Sequence, residues 1–188
     1  MDGAIPHPDA PAGKAGKYAR PERERRFLLA RLPSGEPTRR VRIEDRYLIG
    51  TRLRLRRMTV LDDEGGGGAG RVTFKLGQKV PAPDGSPGLI TNVYLSEAEY
   101  SALAGVPANA LRKVRASYPP FGVDAFEGPL EGLILAEVEF ETEAEQRAFR
   151  PIIDTVAEVT TDQRLTGGRL VVTSAAELRA VLRDYGLA

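Results

Sequence analysis

Basic residues recur at every second position in several stretches of the sequence. Arg52, Arg54 and Arg56 alternate with leucines, and Lys113 is followed two residues later by Arg115. Arginine can grip phosphate with paired hydrogen bonds and lysine acts as a point charge, so bases at this spacing could hold a multiply charged anion.

Carboxylates show the same spacing in two other stretches. Glu22 is followed by Glu24 near the start of the chain, and Glu137 by Glu139 further on. Two such pairs on different strands could converge on divalent cations, because hard cations prefer oxygen ligands. Bases and carboxylates together could therefore bind a metal-chelated polyphosphate.

Composition narrows the possible chemistry. The 188 residues include no cysteine and a single histidine, His7, which argues against thiolate nucleophiles, zinc–thiolate sites and a histidine-based triad. Any metal would be a hard cation on carboxylates, such as Mg²⁺, Mn²⁺ or Ca²⁺. Lysine and arginine number 27 against 26 aspartate and glutamate residues, and this net charge of +1 does not favour a nucleic-acid partner.

Hydropathy adds an expectation about location. The chain has no apolar run of membrane-spanning length, and its first residues lack a basic segment followed by an apolar one. We therefore expect a cytoplasmic protein without membrane contact, and the sequence does not indicate an oligomeric state.

Short extended segments must position the charged residues. Alternating apolar and polar positions, separated by turn signals such as Pro119-Pro120, are typical of antiparallel strands. Several such strands suggest a barrel or a sandwich. The pattern predicts eight of them, near residues 22–30, 39–48, 51–60, 70–78, 88–94, 111–118, 121–127 and 131–141.

Helices and one glycine-rich segment complete the outline. Residues 62–70 include four consecutive glycines and match G-x-G-x-x-G, but a strand rather than a helix follows, so we interpret them as a hairpin loop and not as a nucleotide-binding loop. Capping boxes predict three helices, which begin at Ser96 with Glu99, at Thr142 with Glu145 and at Ser174 with Glu177.

The charged faces of the strands could be arranged in two ways. They could face water around an apolar sandwich core, or they could line the inside of a barrel whose apolar outer faces the helices cover. Three arginines on one strand face repel each other unless an anion lies among them. This favours the inward arrangement.

The order of the motifs resembles that of the CYTH superfamily, the triphosphate tunnel metalloenzymes. Residues 22–28, ERERRFL, are similar to the family's opening Glu-x-Glu-x-Lys-Phe-Leu segment. Residues 53–56, LRLR, are similar to its paired-arginine strand. Further similar segments follow in family order at residues 73–75 (TFK), 113–115 (KVR), 123–126 (VDAF), 136–140 (AEVEF) and 158–164 (EVTTDQR).

The resemblance implies an α+β fold, a closed eight-stranded antiparallel β-barrel that forms a tunnel with flanking helices. This domain would occupy residues 19–188, after a disordered tail at residues 1–18 that is rich in proline, glycine and alanine. It also implies a divalent-metal-dependent hydrolase whose partner is a small-molecule triphosphate, inorganic triphosphate or a related compound.

Residue roles are carried over position by position from this resemblance. The implied catalytic residues are Glu137, Glu139 and Arg26. The implied ligands of Mg²⁺ or Mn²⁺ are Glu22, Glu24, Asp124, Glu137 and Glu139. The implied triphosphate-binding residues are Arg54, Arg56, Lys75, Lys113 and Arg115. Arg52 extends the arginine row beyond the pair that the resemblance carries over, and we add it as a further candidate for triphosphate binding. Three tyrosines are interpreted as core residues, with contact to an organic substrate group as the alternative, namely Tyr47, Tyr94 and Tyr118.

Three positions depart from the family pattern. Arg26 stands where lysine is usual, and Leu165 and Gly167 stand where tyrosine and asparagine are usual. Arginine keeps the charge but does not readily release a proton. These departures motivate one alternative to a triphosphatase, a non-catalytic module that binds polyphosphate or nucleotide. A class IV-type adenylate cyclase on the same tunnel is the other alternative to a triphosphatase.

Overall fold

The structure is a computed structural model that describes residues 18–63, 68–80 and 88–187, with the backbone alone at Asp63. The tail predicted at residues 1–18 lies outside this range except for Tyr18. No helix in the described part of the chain combines the length and the apolarity that a membrane crossing requires.

Ten strands in the described ranges form one antiparallel sheet. They are β1 (Arg20–Pro21), β2 (Glu24–Leu28), β3 (Arg39–Leu48), β4 (Leu53–Asp63), β5 (Val72–Val80), β6 (Leu89–Leu95), β7 (Ala108–Tyr118), β8 (Phe121–Phe126), β9 (Ile134–Glu139) and β10 (Ala157–Glu158). The helices are α1 (Glu97–Ala104), α2 (Glu143–Ala148), α3 (Gly167–Leu170) and α4 (Ala175–Asp184).

Local sequence signals account for most of these elements. The eight predicted strands correspond to β2 through β9, whereas β1 and β10, of two residues each, were not predicted. All three predicted capping boxes are formed, because Ser96, Thr142 and Ser174 each accept a hydrogen bond from the backbone three residues on. Strands β4 and β5 pair antiparallel, so the glycine-rich segment joins a hairpin as predicted. Its residues 64–67 lie outside the described ranges.

The sheet differs from the closed eight-stranded barrel that we predicted. Its strand order is β1-β6-β5-β4-β3-β7-β8-β9-β2-β10, and among the described strands no ladder joins the two ends. The physical reason lies in residues 20–28. This segment pairs first with β6 through Arg20 and Pro21, then separates and pairs with β9 as β2. Since Pro21 has no N–H to donate, the first pairing is short.

Two apolar clusters hold the sheet and helices together. On one side of the sheet, the rings of Phe27, Phe121 and Phe149 pack in T-shaped and tilted pairs, with centroids 5.7–6.2 Å apart. On the other side, apolar residues at the ends of the strands pack against the C-terminal helices. This second cluster includes Leu28, Leu111, Phe126, Leu135, Leu165, Leu170 and Leu178.

Candidate active site

Alternate residues of the long strands carry charges to one side of the sheet, here called the inner face. Lys113 and Asp124 are 6% and 0% exposed, and the side chains of Arg54 and Arg56 are 17% and 11% exposed. Side chains this buried cannot form a solvated outer surface, so the chain adopts the inward arrangement and not the sandwich. The inner face is defined by Glu24, Arg26, Asp45, Arg54, Arg56, Lys75, Lys113, Arg115, Asp124 and Glu137.

Strand β3 contributes a buried carboxylate, Asp45, to the middle of the inner face. Its two oxygens accept hydrogen bonds from Nε and Nη2 of Arg56 at 2.6 and 2.7 Å, and Nε of Arg54 lies 3.6 Å away. Burial disfavours the charged form of Asp45, but Arg56 and Arg54 outweigh it and lower the pKa of this carboxyl. Asp45 is therefore an anion that draws both arginines together.

Arg54 has a second partner in Tyr47, two residues from Asp45 on the same strand face. Arg54 lies directly opposite Tyr47 in the ladder between β3 and β4, and burial raises the pKa of the Tyr47 hydroxyl. Burial works against the charge of Arg54, yet Asp45 and Tyr47 together raise the pKa of Arg54. The opposite residue on β5 is Gly77, where a Cβ atom would stand 3.8 Å from Arg54 Nη2. Asp45 and Tyr47 thus restrain Arg54, and the absence of a side chain at Gly77 leaves room for its guanidinium.

A second buried carboxylate, Asp124 on β8, binds the bases of β7. It accepts hydrogen bonds from Lys113 Nζ at 2.5 Å and from Nε and Nη2 of Arg115 at 2.7 and 2.6 Å. Arg115 also donates to Glu137. Burial opposes ionisation of Glu137, but Arg115 and Lys113 outweigh it and lower its pKa. Burial likewise opposes the charge of Arg115, but Asp124 and Glu137 outweigh it and raise the pKa of Arg115. These four side chains form one buried ionic network.

Carboxylates with fewer cationic partners lie at the edge of the inner face. Glu24 and Glu139 are directly opposite each other on β2 and β9, and Glu139 is exposed. Burial raises the pKa of Glu24, and repulsion from Glu137 raises it further. Glu22 is ion-paired with Lys79 Nζ at 2.5 Å. Negative charge is therefore crowded around Glu24.

The acidic edge is the part of the inner face that suits a divalent cation. Glu24 and Glu139 supply hard oxygen donors from adjacent strands, and a cation would relieve the repulsion that raises the pKa of Glu24. Asp124 fits this role poorly, because its oxygens are already taken by Lys113 and Arg115. Among the described residues, no three acidic or histidine side chains converge as a preformed metal cage.

Arg26 is anchored to the C-terminal part of the chain. Its Nη1 donates to the Leu165 carbonyl at 2.6 Å and its Nη2 to the Thr160 carbonyl at 2.8 Å. Its Nε is buried, lacks a hydrogen-bond partner and lies 3.5 Å from Glu24 Oε1. The two terminal nitrogens thus link β2 to a segment more than 130 residues further along the chain.

The remaining predicted residues lie nearer to solvent. Lys75 points over the ring of Tyr94, with Nζ 4.8 Å from the ring centroid, and within the described ranges it has no ion-pair partner. Tyr94 is 68% exposed, so its interpretation as a core residue is wrong. Strand β1 pairs with β6 only at Leu89 and Ile90 and does not reach the end of β6 that carries Tyr94. Arg52 lies in the turn just before β4.

Sequence reasoning missed two charged residues of this region. Asp45 interrupts an apolar alternation that begins with Val41 and Ile43, and a lone acid on such a face was the available signal. Lys79 follows Lys75 by four residues, so both lie on the same side of β5. The motif-based prediction ended at Lys75 and did not use this spacing.

Comparison with known proteins yields structural likenesses alone. No family model matches the chain, and no curated protein matches it. The inorganic triphosphatase NE1496 is 23% identical at a TM-score of 0.50, over 81% of this chain and 95% of that chain. A further NE1496 structure, described as a hypothetical protein, is 24% identical at a TM-score of 0.49, over 81% and 99% of the two chains.

A third solved structure is more distant. A conserved hypothetical protein from Pyrococcus furiosus is 13% identical at a TM-score of 0.43, over 89% of this chain and 91% of that chain. The likeness to the inorganic triphosphatase NE1496 shows that this chain shares the fold of that protein, as the order of its motifs led us to expect.

Proposed function

We propose that this chain hydrolyses a small triphosphate, with inorganic triphosphate as the first candidate, in a reaction that depends on a divalent cation. One observation carries the proposal. The basic pairs Arg54/Arg56 and Lys113/Arg115 flank β3 on the inner face of a fold that an inorganic triphosphatase shares.

In this proposal the basic residues bind the phosphate oxygens. Arginine has five N–H donors, and Arg56 uses two of its nitrogens for Asp45, so further donors are available to an anion. Lys75 adds a cation that no described carboxylate neutralises. Before an anion binds, Asp45 holds Arg56 in place and Asp124 holds Arg115. Binding of the anion therefore requires little rearrangement of the arginine side chains. Arg52 is assigned to the entrance of the site because it precedes β4.

Glu24 and Glu139, with Glu22 beside them, would hold Mg²⁺ or Mn²⁺. Once bound, such an ion polarises phosphoryl oxygens and favours deprotonation of water. The low pKa of Glu137 makes it a weak proton acceptor, so Glu139, which is exposed and free of the Arg115 network, is the better candidate to take a proton from the attacking water.

Arg26 has a supporting role in this scheme. Both of its terminal nitrogens are occupied by carbonyl oxygens, and guanidinium does not release a proton at physiological pH. It supplies positive charge beneath the acidic edge and holds the C-terminal segment, instead of acting as an acid or a base.

Product analysis tests this proposal against the two alternatives. The chain is incubated with inorganic triphosphate, ATP or thiamine triphosphate, each with Mg²⁺, Mn²⁺ or EDTA. We expect phosphate release from at least one of them with metal, and none in EDTA. Cyclic AMP from ATP would instead identify an adenylate cyclase. Binding without any turnover would identify a non-catalytic module and overturn the proposed hydrolase.

A further inference from the structure

Gly167, at the start of α3, lies directly against the side chain of Tyr47. A Cβ atom at this glycine would stand 2.1 Å from the Tyr47 hydroxyl and 3.3 Å from its Cζ atom. No side-chain carbon can approach an oxygen so closely, so any residue other than glycine would force the tyrosine to move. Gly168, the next residue, has nothing within 4 Å of its own Cβ position.

The Tyr47 ring cannot move without consequence for the inner face. Tyr47 lies directly opposite Arg54 in the ladder between β3 and β4, and its side chain packs against the apolar cluster that includes Leu165 and Leu170. The next inner-face position on the same strand is Asp45, which attracts Arg54 from the other side. A displacement of Tyr47 would leave Arg54 with one of these two restraints.

The C-terminal segment that carries Gly167 is itself anchored to the inner face. Arg26 binds the carbonyls of Thr160 and Leu165, and Leu165 is buried in the apolar cluster. The backbone at Gly167 is therefore fixed in position, so relief of a clash would fall on Tyr47 and not on the helix.

We infer that Tyr47 is a positioning residue for the triphosphate site, and that Gly167 sets its place by leaving room for its hydroxyl. Tyr47 orients the Arg54 guanidinium toward the anion. This inference rests on the proposed role of Arg54 in phosphate binding. Under this inference, glycine at position 167, where the family usually has asparagine, is matched to Tyr47 and does not indicate that the triphosphate site has been lost.

The test is a double-mutant cycle read by calorimetric titration of inorganic triphosphate without metal. Tyr47→Phe removes the hydroxyl and should weaken binding about tenfold, the loss expected for one hydrogen bond to a charged group. Gly167→Ala should weaken binding at least as much in the wild-type background. In the Tyr47→Phe background the same alanine should have a clearly smaller effect, because the clashing oxygen is gone and only the 3.3 Å contact with Cζ remains.

Gly168→Ala is the matched control, since it adds the same methyl group one residue away in open space, and it should bind like the wild type. Tyr47→Phe introduces no clash, so its affinity for triphosphate tests the role of Tyr47 even if Gly167→Ala does not fold. Wild-type affinity in Tyr47→Phe, or an equal effect of Gly167→Ala in both backgrounds, would overturn the inference while the proposed function stands. If the wild type binds no triphosphate, the proposed function fails first.

Discussion

Replacing Asp124 with alanine is expected to lower the free energy of unfolding by about 3–5 kcal/mol. This carboxylate is completely buried and accepts hydrogen bonds from both Lys113 and Arg115. Its removal leaves the buried Lys113 and the partly buried Arg115 with Glu137 as the nearest counter-ion, and an uncompensated buried charge is far more costly than a lost surface pair. Urea unfolding monitored by circular dichroism measures the effect.

Asp184→Ala provides the control for this experiment. Asp184 also pairs with an arginine, Arg164 at 2.6 Å, but its side chain is 61% exposed, so its removal should cost no more than about 1 kcal/mol. Equal small losses in the two variants would contradict the view that Asp124 is the structural counter-ion of the inner face. Asp124 would then be open again to the role of metal ligand.

Replacing Glu139 with glutamine is expected to lower metal-dependent turnover by about a hundredfold or more, because metal-assisted charge stabilisation is worth several kcal/mol. Glutamine keeps the shape of the side chain but removes one charged oxygen donor opposite Glu24. Binding of triphosphate without metal should be unchanged or stronger, since the change removes a repulsive charge. Phosphate release and calorimetry measure the two effects separately.

Glu143→Gln is the control for Glu139→Gln, because Glu143 lies on α2 and pairs with Arg147 at the surface. It should retain full turnover. Full activity in Glu139→Gln, or wild-type turnover that is the same in EDTA as in Mg²⁺, would contradict the metal-dependent scheme without affecting the fold.

Much of this arrangement can be predicted from local sequence. Alternation of apolar and polar residues predicts the strands. In β4 it places Arg54 and Arg56 on one face and Leu55 on the other, and Leu55 is fully buried. Capping boxes fix the helix starts because they depend on residues three apart. Predictions of this kind succeed since every partner lies within a few residues.

Other features depend on contacts between distant segments and cannot be predicted in this way. The two carbonyls that bind Arg26 belong to residues more than 130 positions away. The contact between Tyr47 and Gly167 is set by packing of α3 against the sheet, and an isolated glycine or tyrosine carries no signal of it. The open strand order likewise follows from how residues 20–28 divide between two edges, which alternation does not specify.

Calorimetric titration of inorganic triphosphate into Arg54→Ala and into Arg57→Ala shows whether the inner face binds triphosphate. The two arginines are three residues apart on β4, but Arg54 is on the inner face and Arg57 pairs with Glu44 on the outer face. Arg54→Ala leaves Asp45 paired with Arg56, so it removes an anion ligand without freeing a buried carboxylate.

We expect Arg54→Ala to weaken binding of inorganic triphosphate by about tenfold or more, as the loss of a charge-assisted hydrogen bond predicts. Arg57→Ala should bind like the wild type. Equal affinity in the two variants, or a larger loss in Arg57→Ala, would contradict the assignment of triphosphate binding to the inner face.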